Sequence, residues 1–588
     1  MWRPLISKRE DLMNPAEAAK TGNLFSRLTQ LAIALIGLAV MAAGMLTINS
    51  TSANAAMVAH MYRDVNPGPS NSGASDFVPF GGSLYFTASG AGKGQELWKL
   101  SGGKSSLVRD INPGPAHSGP SSLTVMGGHL YFVAGDESHG RELWRTDGNV
   151  TELVADINPG AESSHPNYLT ALDGKLVFAA ELPGSGREPW SFDGNTVTTI
   201  KDIRPGAASS SPSGFTRLGN NLYFDANDGV SGEELWRTDG TGADLVSNIN
   251  PGAASSYPQE MVQFNGRLYF AADTAAAGWE LWRTDGVTTS IVGDIDPGAD
   301  DAYPQNLTEM NGQLYFSANN GSTGNELFRT DGAMPVANVE LVADINPGSW
   351  GSDPNYMTVL GSYLYFRGGT EQSGNEIWRT NGSGVEMIGD LNPDAEDSNP
   401  SHLVRFGDSI YFAAEDEAHG FELWKTGGGT PGLVRDILPG DSSGEPYGFT
   451  PFGKSLYFSA DDGLHGWEIW RVTEDSKVDV KIQTRKLRIS SAGRTTLRIR
   501  CTAAEISGPC RGNLALRTKV GLIAAKGTFK VESGTTVAVT LKLSKPVRKA
   551  LRQGSGAPKL KAVVKARDMA GNKRTLTRGL RLSGAGVR

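Results

Sequence analysis

The sequence predicts an all-β chain, a β-propeller of nine four-stranded blades followed by a smaller C-terminal Ig-like β-sandwich. Three observations carry this reading. A 46-residue unit recurs nine times, each unit reads as four short strands between tight turns, and the composition changes sharply after the last unit. The 588 residues include 74 glycines and only 20% charged residues, a mix that suits turn-rich β structure and not helical packing.

At the N-terminus, Lys8, Arg9, Lys20 and Arg27 precede an apolar run from Leu31 to Ile48. Ala53-Asn54-Ala55-Ala56 follows as an A-x-A-like site, so residues 1–55 are expected to be a signal peptide cleaved after Ala55. The run also reaches the lower length limit for a membrane span, which makes an uncleaved anchor the alternative. Export would place the mature chain outside the cell or on its surface.

Residues 56–476 hold the repeat. One landmark, Glu followed by an apolar residue and an aromatic, recurs at Glu96, Glu142, Glu188, Glu234, Glu280, Glu326, Glu376, Glu422 and Glu468. The step is 46 residues except for one of 50, whose extra residues fall at 332–339. A second landmark, Asp-x-Asn-Pro-Gly or a near variant, keeps the same rhythm from Asp64 to Asp436. Within residues 156–201 the Pro-Gly loop gives way to a strand at Tyr168–Leu172, then Asp173-Gly174 as a hairpin turn. Further strands follow at 175–180, 187–192 and 196–203, separated by Gly-rich turns. The Leu-Tyr-Phe-x-Ala strands are apolar on both faces, as blades packed face to face require.

The ends are complementary. Ala59–Val65 reads as a lone fourth strand, and the last unit stops after its third strand, Trp467–Thr473. The N-terminal strand is therefore expected to complete the last blade and close the ring without a free edge. An open superhelical array is the alternative. The landmark aromatics Trp98, Trp144, Trp190, Trp236, Trp282, Phe328, Trp378, Trp424 and Trp470 are expected to form the inter-blade core.

The motif Glu-Leu-Trp-Arg-Thr-Asp-Gly at 142–148, 234–240 and 280–286 resembles the ELWxxDGT repeat family of secreted bacterial proteins. The resemblance covers residues 62–473. The copies at Glu96, Glu188, Glu376, Glu422 and Glu468 depart from it at the Thr-Asp-Gly end. It implies export and a propeller-like fold, and no activity.

Residues 477–588 change character. From Lys481 onward there are 26 Lys and Arg against 3 acids, a net +23, so the rest of the chain carries -31 of the total -8. Opposite charge in two segments argues for two modules. Seven strand-like runs, starting at Val480 and ending at Leu582, with a helical turn at 545–553, fit an Ig-like sandwich. Asp568 to Asn572 resembles a turn of bacterial Ig-like modules. Cys501 and Cys510 have no partner at metal-ligand spacing, and in an exported chain a disulfide stapling one hairpin is expected.

Chemistry is sparse. His139, His419 and His465 share a loop position that other units fill with Lys, Ser, Thr or Ala, which marks solvent-exposed turns. No His-x-x-x-His pair is present. The recurring Glu is expected to serve the fold, paired with the neighbouring Arg or Lys or with backbone. Asp136, Asp228, Asp273 and Asp461, with the Asp-x-Asn-Pro-Gly loops, raise calcium as the one cofactor to consider; ordinary turn capping explains them as well. No other cofactor and no metal-ligand set is expected. Trp279, Trp350 and Trp467 lie off the landmark and are the candidates for ligand stacking. The expectation is a non-catalytic extracellular binding, adhesion or scaffold protein whose basic domain attaches to an anionic surface. Its partners would be a polysaccharide, an envelope polymer or a surface protein. Nucleic acid is not expected, and a membrane only through an uncleaved N-terminus. The alternative is a secreted glycan-acting enzyme with its site at the propeller channel.

Overall fold

The computed structural model describes residues 56–582, apart from 91, 334–337, 476–477, 479, 503–508, 553–558 and 569–571. The signal or anchor expected at residues 1–55, and residues 334–337 within the stretch that lengthens one unit to 50, lie outside the described residues. Among the described residues no helix is long and apolar enough to cross a membrane.

Nine four-stranded antiparallel sheets form the blades. The first comprises Ser75–Phe80, Ser83–Ser89, Gln95–Ser101 and Lys104–Arg109, paired in chain order. Each second strand is buried along its whole centre: Leu-Tyr-Phe at 84–86, 130–132 and 222–224 is at most 3% exposed. Alternating strands would leave one face wet, so this run exists because a neighbouring blade covers each face. The first strand of every blade touches the first strands of both neighbours, the ninth with the first included, so these strands ring the channel. The ninth sheet has the order Tyr447–Phe452, Ser455–Asp461, Trp467–Asp475 and then the N-terminal strand Ala56–Arg63. The ring of nine is thus closed, with the chain's first strand completing its last blade and removing an open edge.

The motif Glu-Leu-Trp-Arg-Thr-Asp-Gly can be read letter by letter. The glutamates are fully buried in all nine blades. Each receives hydrogen bonds from the loop that follows its own blade. Glu96 accepts the N–H groups of Ile111 (3.0 Å), Asn112 (3.4 Å) and Ser118 (3.1 Å) and the Ser118 hydroxyl (2.6 Å). Its counterpart Glu468 accepts the N–H of Val65 (2.7 Å) and Asn66 (3.3 Å), across the join between chain start and chain end. The partners are loop donors, and the neighbouring Arg or Lys reaches elsewhere. Lys99 donates to the Gly148 carbonyl (2.6 Å), Arg237 to Gly286 (2.8 Å) and Arg329 to Gly382 (2.6 Å), each in the next blade. Thr146 accepts the Gly148 N–H (3.0 Å), and Asp147 accepts those of Asn149 and Val150 (2.7 Å each). Gly148 has φ 94°, the left-handed turn geometry that favours glycine. Six of the landmark aromatics are buried, and Trp98, Trp282 and Trp378 are half-buried against the same clusters.

The C-terminal segment is a two-sheet sandwich. Val480–Ile482, Arg494–Cys501 and Thr536–Lys542 form one sheet. Lys486–Leu487, Lys573–Leu582, Leu560–Arg567, Cys510–Thr518 and Ile523–Val531 form the other. The run from Val480 therefore splits into two short strands, one in each sheet. A short helix, α1, spans Lys545–Arg552. Cys501 and Cys510 are disulfide-bonded with a Cα–Cα separation of 5.7 Å. They do not staple a hairpin: Cys501 ends a strand of the first sheet and Cys510 begins one of the second, so the bond ties the two sheets together.

Candidate functional site

Successive strands of a blade are antiparallel, so the long loop between blades and the turn between second and third strands share one face of the ring. The long loop folds back onto the buried glutamate and then enters the next first strand. Two positions in this stretch have left-handed backbone in all nine units. The first follows the loop serine or its substitute: Gly73, Gly119, His165, Ser211, Tyr257, Tyr303, Asp353, Asn399 and Glu445, with φ between 44° and 57°. The second is the second residue of each first strand: Asp76, Ser122, Tyr168, Gly214, Glu260, Asn306, Tyr356, His402 and Gly448, with φ between 53° and 70°. It sits in a β-bulge, since every first strand shifts register between its first and fourth residues, as between Asn167 and Thr170.

Left-handed geometry explains the glycine, asparagine and aspartate at these positions. It does not explain four tyrosines. Tyr168, Tyr257, Tyr303 and Tyr356 are 40–49% exposed, and they are the only tyrosines among the strongly exposed large side chains of the described residues. A bulky side chain held exposed in strained backbone, at the bulge for Tyr168 and Tyr356 and in the loop before it for Tyr257 and Tyr303, gains nothing for the core, and such strain concentrates at functional sites.

Neighbouring members of the rings meet. Glu260 accepts the Asn306 N–H (3.1 Å), and the Tyr356 and His402 rings lie 5.9 Å apart with Arg367 5.3 Å over Tyr356. Trp279 stands between Tyr257 (6.2 Å, 12°) and Tyr303 (6.1 Å, 28°), giving a three-ring stack along the top of the fifth blade. Asp301 anchors it by accepting the Trp279 N–H (2.9 Å) and the Tyr303 hydroxyl (2.6 Å). Trp467 holds the position equivalent to Trp279 in the ninth blade, tilted against Tyr447 at 5.1 Å. Trp350 projects from the loop between sixth and seventh blades, 80% exposed. The three tryptophans stand on different blades, each with its own neighbours, and only Trp279 belongs to an aromatic stack. The sequence does not single out these tyrosines, because Tyr257 and Tyr303, each just before a proline, read as loop filler, and Tyr168 and Tyr356, two residues after one, read as ordinary strand residues.

The fourth blade carries a carboxyl pair. Asp225, 6% exposed, accepts the Ser213 hydroxyl (2.6 Å) beside the bulge at Gly214. Burial and the neighbouring Asp225 push the Glu233 carboxyl up to about 7. His139, His419 and His465 each meet an aspartate three residues earlier in their own turn, at 2.8–3.1 Å. Asp136, Asp228 and Asp461 accept N–H groups of their own turns. Burial and Asp301 push the Asp273 carboxyl up. Among the described residues no three acidic, His or Cys groups converge as metal ligands.

No family model matches the chain, and no curated protein does. Among solved structures it is similar to PorZ, a bacterial surface component of the type-IX secretion system of Porphyromonas gingivalis (12% identity, TM-score 0.34, 86% of this chain and 75% of that one). It is also similar to the β-propeller domain of the trilobed protease of Pyrococcus furiosus (10%, TM-score 0.30, 54% and 98%). A third is prolyl oligopeptidase B of Galerina marginata (11%, TM-score 0.33, 65% and 55%). The chain spans just over half the length of that peptidase. At these identities the likeness is one of architecture and says nothing of activity.

Proposed function

We propose that this protein is a non-catalytic extracellular binding protein. It takes its ligand on the loop face of the propeller, around the channel mouth, while its basic sandwich holds it to an anionic surface. The ligand would be a polysaccharide, an envelope polymer or a protein displayed there. The observation that carries the reading is the set of four exposed tyrosines in left-handed backbone. The ring positions that left-handed geometry does not account for also include Ser122, Ser211, His165 and His402, polar side chains suited to adaptable hydrogen bonding beside rigid aromatic contacts. The reading of export rests on the N-terminal pattern and agrees with the Cys501–Cys510 disulfide.

The carboxyl pair does not favour a glycan-cleaving site. Glycosidases hold their two carboxyls at least about 5 Å apart, with the substrate bond or a water between them. Asp225 is instead held by the Ser213 hydroxyl (2.6 Å) and lies beside Glu233, whose carboxyl burial and Asp225 push up to about 7.

The test is retention of the exported chain on purified envelope and on soluble polysaccharides. Replacing Tyr168, Tyr257 and Tyr303 together by glycine is expected to weaken retention at least tenfold at high salt, where the basic domain is screened. The unfolding midpoint should not fall. Retention unchanged by the triple variant would move the binding surface away from the mouth.

A further inference from the structure

The sandwich has a line of positive charge built into its strand register. In the five-stranded sheet Lys530 lies opposite Arg511, Arg511 opposite Arg567, and Arg567 opposite Lys573. Four adjacent strands thus bring four cations into one row, and all four are exposed. With strands about 4.8 Å apart the row is about 14 Å long. Two residues further along the same face, Lys565 stands between Asn513 and Thr575. A groove of about 580 Å³ opens here, lined by Arg511, Asn513, Lys565, Arg567 and Lys573. Two carboxyl groups are near. Glu532 pairs with Lys530 at the end of the row (3.2 Å), and Asp568 is buried and accepts the Asn572 N–H (2.8 Å).

Like charges directly opposite on neighbouring strands destabilise a sheet. A fold without use for them would alternate signs or use threonine, as Thr528 and Thr575 do on the same face. We infer that this row binds a linear phosphodiester polymer, gripping its backbone charge along the groove. The inference rests on the proposal that the basic domain attaches the protein to an anionic surface, and it names the chemistry of that surface. Two central arginines suit phosphate oxygens, which their planar forks meet with two hydrogen bonds, and lysines flank them as point charges. The sandwich also lacks the feature a sugar-reading surface needs. Its only aromatic residue, Phe529, is 7% exposed in the core. A surface of cations without a stacking ring reads charge and spacing, which is how proteins hold a phosphodiester backbone without reading its bases or sugars.

The experiment measures binding of the exported chain to poly(glycerol phosphate) and to an oligothymidylate, two phosphodiesters of different origin, and to polygalacturonate as the carboxylate counterpart. Salt is varied from 50 to 300 mM. Both phosphodiesters are expected to bind, with log affinity falling steeply with log salt, and polygalacturonate at least tenfold more weakly. Arg511→Gln with Arg567→Gln should weaken phosphodiester binding at least tenfold at 0.1 M salt and make the slope shallower by about 1.4, the share of two contacts on a single strand. The pair Arg494→Gln and Arg498→Gln on the other sheet should leave both nearly unchanged. Removing like-charge repulsion should leave the melting temperature equal or higher, which separates lost contacts from lost folding. Equal binding of polygalacturonate would overturn the phosphodiester assignment and leave anionic attachment standing. An equal effect of the Arg494 and Arg498 pair would replace the row by a diffuse field. If no polymer binds, both the row and the attachment proposal fall.

Discussion

Two sets of positions recur nine times around the ring, and they behave in opposite ways. The motif positions hold nearly constant residues, and each does one structural job: the glutamate ties down a loop, the arginine latches the next blade, and the threonine and aspartate cap a turn. The left-handed positions have equally constant backbone, yet they carry Tyr, His, Glu, Asp, Asn, Ser and Gly in turn. A backbone that repeats while its side chains diverge is a scaffold presenting a surface. Nine units in one chain thus act as an internal control, separating what the fold needs from what it displays.

The strongest way to break this division is at the frame. Glu142→Ala would strand the N–H of Ile157, the N–H of Ser164 and the Ser164 hydroxyl, all buried. The expected loss is on the order of 3–5 kcal/mol, read as a lower midpoint in urea. Glu142→Gln keeps the shape but turns an NH₂ toward donors, and should cost about half as much. A loss below about 1 kcal/mol for the alanine variant would mean the loop stands without its anchor.

The same glutamates set the pH response. Burial pushes Glu280, Glu376, Glu422 and Glu468 up to about 7 and raises Glu96, Glu142, Glu188, Glu234 and Glu326, against the pull of the loop donors. Between their ordinary value and about pH 7 the folded chain binds more protons than the unfolded one, so stability is lost as pH rises through that window. His139 and His465, raised by their aspartates, act in the same direction. His60, lowered to about 4 by burial and two arginines, acts in the opposite one. Melting temperature at constant ionic strength should therefore fall by several degrees from pH 5 to pH 8, and a flat or rising profile would contradict the burial of the ring of carboxylates.

A smaller gain should follow from completing the frame. Glu280 lies where Ala302 replaces the loop serine, and it accepts only the N–H groups of Ile295 and Asp296. In five other blades the serine hydroxyl reaches the glutamate at 2.5–2.6 Å. Ala302→Ser should stabilise by about 1 kcal/mol, seen as a higher thermal midpoint that shrinks at pH 5, where Glu280 is protonated. No gain at pH 8 would show that a hydroxyl at position 302 does not reach Glu280.

Much of this frame was legible in the sequence, because a 46-residue period multiplies every weak local signal ninefold. Even the closure could be read, since three strands at one end and one at the other make a blade. What could not be read depends on contacts made at a distance. The partners of Glu96 lie 15–22 residues further on and those of Glu468 at the start of the chain, and nothing in Glu-Leu-Trp says that the loop returns. The disulfide was expected within a hairpin because Cys501 and Cys510 are close in sequence; the chain instead crosses between sheets there. Trp279 could be flagged from its place off the motif, but its stack could not, because Tyr257 and Tyr303 come from loops 46 residues apart. The one local clue was tyrosine where a left-handed turn residue belongs.

The finest test of the division lies at one of those tyrosines. For an L-residue the left-handed geometry of Tyr168 (φ 55°) costs roughly 1–2 kcal/mol, which glycine does not pay. Glycine adds chain entropy to the unfolded state, worth about 0.5–1 kcal/mol, so most of the relief is offset. Tyr168→Gly should raise the midpoint slightly, by less than about 1 kcal/mol, whereas Tyr168→Ala keeps the strain and should raise nothing. Both should weaken ligand retention, because both remove the exposed ring. The two variants separate strain from contact: retention follows the ring, and stability follows the backbone. A frame residue behaves otherwise, since its removal lowers stability whatever replaces it. If Tyr168→Gly lowers the midpoint by more than about 1 kcal/mol, the tyrosine belongs to the frame, and the mouth of the ring is packing and not a surface for binding.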